Sequence, residues 1–215
     1  MKAREPERRS YQQFCGVARA LDVVGERWTL LVIRNLLLGP RRYSDFLAEL
    51  PGITTNLLAK RLRELEAGGL VARRDAAGVA AYELTERGAA LEPVVLELGR
   101  WGWPLLEKPR PGDRVDLALG LISLKRRYAG GVKLTVGLKA GPRAFALLFG
   151  AKGLVVRDRA AENPDVTITG DERALRALLI LGHDASKLRA SGAISVEGAP
   201  RDWARLVAAL GLSAG

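Results

Sequence analysis

The chain has 215 residues, a length that fits one large domain or two of about 100 residues each. With 48% hydrophobic and 27% charged residues and a single cysteine, it is ordinary globular material; disorder, an internal disulfide and a cysteine-built zinc site are all excluded. The formal net charge of +10 favours a polyanionic partner, nucleic acid or an acidic membrane surface, although the basic residues are spread into the second half. No apolar run approaches the roughly 18 to 20 residues of a membrane span, and the opening MKAREPERRSYQQF lacks the apolar core of a signal peptide. The expected location is the cytoplasm, without a membrane partner.

From Phe14 to Gly25 the apolar residues Phe14, Val17, Ala18 and Leu21 recur at three and four, which predicts a short amphipathic helix. Arg27 to Leu38 is almost wholly apolar, with Trp28, Leu31, Val32 and Leu36, and is predicted to be a buried central helix stopped by Gly39 and Pro40. Tyr43 to Leu50 gives one or two helical turns with Ser44 as the expected cap, and the turn at Pro51 and Gly52 leads into ITTNLLAKRLRELEAGG, residues 53–69. This is helix, turn, helix. In the second helix Leu58, Leu62 and Leu65 share a buried face, while Thr54, Thr55, Asn56, Lys60, Arg61 and Arg63 are expected to face outward. Thr54 is the expected N-cap and Gly68 and Gly69 the stop. Thr and Asn can reach base edges, and Lys and Arg can neutralise phosphates. Taken alone, the same pattern describes a solvated basic surface helix.

Leu70 to Arg73 and Ala80 to Leu84 read as two strands around a turn at Asp75 to Gly78, a hairpin or wing. A further helix is expected from Thr85 to about Leu106, with Leu91, Val94, Val95, Leu98, Trp101 and Leu105 on one stripe. Two readings of that stripe stand side by side: packing within the chain, or packing against a second subunit. Pro104, Pro109, Pro111 and Gly112 then interrupt every period, so a domain boundary is placed between 108 and 109.

In residues 109–215 a helix is expected over Val115 to Arg127, followed by short strands at Val132 to Leu138, Ala144 to Phe149, Leu154 to Arg157 and Val166 to Thr169. Asp171 caps a leucine-rich helix, another short helix begins near Asp184, Ala193 to Glu197 forms a last strand, and Pro200 opens a final helix. The fold class is therefore α+β. Catalytic chemistry is missing, because His183 is the only histidine and no Ser-His-Asp, Cys-His or metal-ligand spacing can be built around it. GVKLTVGLKAG lacks the spacing of a phosphate-binding loop. The expectation is a non-enzyme without a cofactor.

The first domain resembles the HxlR-type winged-helix transcription regulators over about Cys15 to Trp103. The resemblance is carried by Trp28, Gly39-Pro40-Arg41-Arg42-Tyr43, Pro51-Gly52-Ile53, Arg61-Leu62-Arg63-Glu64-Leu65-Glu66 and Leu84-Thr85-Glu86-Arg87-Gly88. It implies a homodimer on double-stranded DNA, with two recognition helices in successive major grooves of a pseudo-palindromic site. The residues it brings forward for DNA are Arg41, Arg42, Thr54, Thr55, Asn56, Lys60, Arg61 and Arg63, with Arg73 and Arg74 at the base of the wing. On that reading Arg61→Ala should lower the salt slope of operator binding by about one phosphate contact. The wing tip, Ala76-Ala77-Gly78-Val79, lacks the basic residue common in the family. Cys15 matches a cysteine that is a redox sensor in some relatives, but Gly16 follows it rather than the more usual proline. The favoured reading is a half-buried structural cysteine, with redox sensing as the alternative.

The second domain resembles the C-terminal half of the sterol-carrier-protein-type fold, through Pro164-Asp165-Val166-Thr167-Ile168, Gly170-Asp171, and Gly192 with Ile194-Ser195-Val196-Glu197-Gly198. That resemblance implies a mixed sheet-and-helix module around an apolar tunnel and a small apolar ligand as effector. Two function classes follow: a ligand-responsive DNA-binding regulator, or a lipid-carrier-like binding protein whose winged helix makes protein contacts.

Overall fold

Helix formation in the first third of the chain follows the apolar spacing, and each helix end has an identifiable cause. The computed structural model describes residues 10–76, 79–107, 109–128, 130–151 and 153–213. They fall into two compact units, the first ending at Val95 and the second beginning at Leu96. The first contains α1 (Gly16–Val24), α2 (Thr29–Leu36), β1 (Arg41–Arg42), α3 (Tyr43–Glu49), α4 (Thr55–Ala67), β2 (Val71–Ala76), β3 (Val79–Leu84), α5 (Glu86–Ala89) and the start of α6 (Glu92–Gly102).

The core of this unit is built from Val32, Ile33 and Leu36 of α2, Phe46 of α3, Leu58, Leu62 and Leu65 of α4, and Leu70, Val71 and Val95. Each fully buried leucine here contributes roughly 1.5–3 kcal/mol relative to an exposed one. The strands form a sheet in the order β1-β3-β2, with Arg41 opposite Tyr82 and Arg73 also opposite Tyr82. This is a winged helix-turn-helix: α3, a tight turn, α4, then a hairpin. Gly52 in the turn has φ +91, a left-handed backbone that suits glycine.

Several expectations are corrected. Leu31 is exposed and Trp28 only partly buried, because Trp28 is the N-cap of α2 with φ +80 and its ring packs near Gly52. Ser44 does not cap α3; Arg42 holds that position and its N–H donates to the Asp45 carboxylate at 2.8 Å. The expected helix from Thr85 to Leu106 is broken into α5 and α6, since Pro93 lies in the first turn of α6 and has no N–H to continue α5. Gly88 is required in α5: a Cβ there would stand 1.9 Å from the Leu70 carbonyl oxygen. The division between units falls inside α6, whereas the sequence places a boundary between 108 and 109. The proline-rich stretch marks where regular backbone stops, and packing changes earlier.

The second unit continues from α6 through a 3-10 turn (Trp103–Leu105) to α7 (Leu117–Arg127), β4 (Leu134–Ala140), β5 (Arg143–Gly150), β6 (Gly153–Arg157), β7 (Val166–Gly170), α8 (Glu172–Leu179), α9 (Ala185–Ala190), β8 (Ile194–Gly198) and α10 (Pro200–Leu210). The sheet order is β6-β5-β4-β7-β8, antiparallel except for the parallel pair β4 and β7. Val136 lies opposite Leu147 and Val166, and Leu147 opposite Val156. One sheet face is thus a continuous buried apolar layer. Helices α7 and α8 pack on each other and on β6 and β7, adding Leu117, Leu121, Leu124, Leu175 and Leu178 to the core. The Arg127 guanidinium donates to the carbonyls of Leu179 and Leu210, each at 2.8 Å, and so satisfies the C-terminal ends of α8 and α10. The unit is a mixed α/β layer structure, and the chain as a whole is α+β.

Candidate nucleic-acid interface

The geometry of α4 follows from 13 residues at about 100° each. Leu58, Leu62 and Leu65 are buried against the core, and Asn56, Lys60 and Arg63 lie exposed on the opposite side, within about 60° of one another around the axis. The Thr54 hydroxyl accepts from the Leu57 N–H at 3.3 Å, as expected of an N-cap. Thr55 and Asn56 occupy the exposed first turn. The face therefore carries a carboxamide able to pair with a base edge, followed by two cations spaced for phosphates. Lys60 is 3.9 Å from Glu64 in a loose, exposed pair, which leaves it available to a stronger anion.

Arg61 does not belong to that face. Its side chain is buried, with its Nε donating to the Arg27 carbonyl at 3.2 Å, one terminal nitrogen to Glu26 at 2.6 Å and the other to Glu64. It lies three residues after Leu58 and four before Leu65, which turns it toward the core rather than toward a groove. Arg41 is likewise buried and bonded to Glu49 and to the Pro40 carbonyl. Glu49 also accepts from the buried Asn35 amide at 2.8 Å, so both arginines serve as internal ties. These placements correct the outward orientation expected from sequence.

Arg42, Arg73 and Arg74 are exposed. The wing arginines meet carboxylates of the wing itself, Arg73 with Asp75 at 3.6 Å and Arg74 with Glu83 at 2.6 Å. The Arg74 guanidinium is held above its ordinary pKa by the hydrogen bond and the charge of Glu83. Residues 77 and 78 of the expected wing tip lie outside the described residues. Sequence reasoning missed Tyr43, whose hydroxyl donates to the Thr55 carbonyl at 2.6 Å and fixes the first turn of α4 against α3. Only the position of Tyr43 at the end of the Gly39-to-Tyr43 run hints at it.

Cys15 is exposed as the N-cap of α1, not half-buried. The backbone N–H groups of Ala18 and Val17 at the helix start favour the thiolate and pull its pKa below the ordinary thiol value, as expected at a helix N-terminus. Arg19 is turned to Asp22 at 3.5 Å instead of to the thiol. Phe14, Val17 and Leu21, neighbours of Cys15 in sequence, stand in solvent; separately, Val94, Leu98, Trp101 and Leu105 of α6 and the turn after it are also exposed. Among the described residues no group of three or more His, Cys, Asp or Glu is placed to hold a metal ion, and no helix is long and apolar enough to cross a membrane.

Residues 23–109 match the model of the HxlR-like helix-turn-helix family. YybR of Bacillus subtilis, described as an HTH-type transcriptional regulator, is 40% identical over 91 residues, 41% of this chain and 73% of that protein. The chain belongs to the HxlR-like helix-turn-helix family. YodB, an HTH-type transcriptional regulator of the same organism, is 36% identical over 99 residues that cover 45% of this chain and 86% of YodB. Among solved structures, the redox regulator HypR in its oxidized form aligns with a TM-score of 0.41 at 35% identity, over 45% of this chain and 100% of that one. The HxlR-like match spans α2 to the 3-10 turn after α6, and so includes the whole α3-turn-α4 segment and the wing.

Proposed function

We propose that this HxlR-like chain acts as a homodimeric transcriptional regulator that reads a pseudo-palindromic site with α4, while its second unit takes an effector. Regulation of transcription through a helix-turn-helix, rather than catalysis, is the activity of the family to which it belongs. The observation that carries the reading of the site is the exposed Asn56, Lys60 and Arg63 stripe of α4, with Thr55 as the first residue of that helix and Arg42 as the N-cap of α3. Arg73 and Arg74 approach phosphate only by exchanging their own carboxylate partners, so they add less than the α4 cations.

The apolar residues left in solvent on α1 and α6 support a dimer, because a monomer seldom leaves Phe14 and Trp101 bare. The mixed sheet of the second unit, with its parallel β4 and β7 and with α7, α8 and α9 packed against β6, β7 and β8, supports the sterol-carrier-like reading of residues 109–215. The alternative of a ligand carrier whose winged helix contacts protein is disfavoured by the polar stripe of α4. A gel shift with the DNA flanking the chain's own gene separates the two. Regulation requires a shift that specific DNA competes at least 100-fold better than random DNA; equal competition by both would sink the DNA reading.

A further inference from the structure

The second unit holds a cavity of about 540 Å³ that the sequence does not announce. Its apolar wall is formed by Trp103, Ile180 and Leu181, and its cations are Arg100, Arg126 and Arg127. Gly120 makes the wall: a Cβ there would come within 2.9 Å of the Ile180 side chain, so the glycine lets Ile180 seat against α7. Trp103 and Leu181 remain largely exposed, open to an occupant.

The three arginines differ in what already holds them. Arg100 pairs with Glu97 on its own helix, and Arg127 is spent on the carbonyls of Leu179 and Leu210. Arg126 is half-buried with its guanidinium carbon 6.0 Å from the centre of the Trp103 ring, and among the described residues no carboxylate is paired with it. Among the described residues no acidic side chain lines the cavity. A cation stacked on an indole, beside an apolar wall and without a counter-ion, is complementary to a molecule with one anionic head and an apolar body.

We propose that this cavity binds a hydrophobic carboxylate, its head on Arg126 and its body against Trp103, Ile180 and Leu181. The proposal rests on the reading of the second unit as the effector module and gives that effector a charge.

The test is calorimetric titration of the full chain with 2-naphthoate and with its neutral analogue 2-naphthalenemethanol. The carboxylate should bind at least about tenfold more tightly than the alcohol, the size of one charge-assisted hydrogen bond. Arg126→Gln should erase that preference while leaving the melting temperature unchanged, and Arg126→Lys should retain part of it. Equal affinity for the two probes, a preference that survives Arg126→Gln, or no binding of either at millimolar concentration would overturn the proposal. DNA affinity of the same samples without naphthoate is measured separately. Loss of the naphthoate preference with DNA binding intact removes only the ligand, and the converse removes only the DNA reading.

Discussion

The Arg61 guanidinium donates to the Glu26 carboxylate at 2.6 Å, joining α4 to the connection between α1 and α2. Arg61→Ala should therefore cost about 2–3 kcal/mol of stability, from charge-assisted hydrogen bonds lost at a buried site. Chemical denaturation of the first unit checks this. The salt slope of DNA binding should stay as it is, and a slope reduced without loss of stability would return Arg61 to the interface.

Lys60→Ala and Arg63→Ala should behave in the opposite way. Both side chains are exposed on α4, so folding stability should change by less than about 0.5 kcal/mol. Each substitution should lower the slope of log K against log salt by about 0.9. Fluorescence anisotropy at three or more salt concentrations reads the effect, and parallel lines for variant and parent would count against that residue.

Asp116 caps α7 and is bonded to the Ala118 N–H, Arg143 and Arg114. Burial alone would raise its pKa, but the Ala118 hydrogen bond and the two guanidinium groups outweigh it and hold the carboxyl below its ordinary value. The folded pKa is depressed, so the stabilisation is present above the ordinary carboxylate range and is lost as pH falls through the folded value. Asp116→Asn should cost about 1–3 kcal/mol near neutrality. Melting curves against pH should show the gap between Asp116→Asn and its parent narrowing in acid; a constant gap would contradict the assignment.

Trp101→Asp should shift the chain toward monomer by placing a charge in the apolar stripe of α6, where Trp101 is 72% exposed. Sedimentation velocity would detect it as a change from two-chain to one-chain mass with a preserved circular dichroism spectrum. A parent that is already monomeric at micromolar concentration would remove the dimer from the reading.

Cys15 should alkylate at lower pH than a free cysteine, because backbone N–H groups favour its thiolate. Iodoacetamide modification rates across pH, with Cys15→Ser as the blank, give the midpoint. A midpoint at the ordinary thiol value would refute it.

Much of the fold was legible in local pattern. The strands of the second unit stand within about two residues of their expected positions, since alternation with period two is a local signal, and Asp171 and Asp184 cap α8 and α9 where those helices were expected to begin. The orientation of Arg61 and Arg41 was not, although the spacing of Arg61 from Leu58 and Leu65 already placed it beside the apolar face. Its buried geometry depends on Glu26, 35 residues away in sequence, and charge type alone does not disclose such a partner. The Arg126 cavity was hidden for the same reason: it is made by Trp103, α7 and the end of α8, segments brought together only by folding.

Gly88 has a mechanical meaning for the wing. With the Leu70 carbonyl in the space a methyl group would need, and the Thr85 hydroxyl donating to Gly69 at 2.7 Å, the root of the wing is wedged against α5. Strand β1 clamps β3 from the other side. The base of the hairpin is thereby held on two sides, by the segment leading into α5 and by β1.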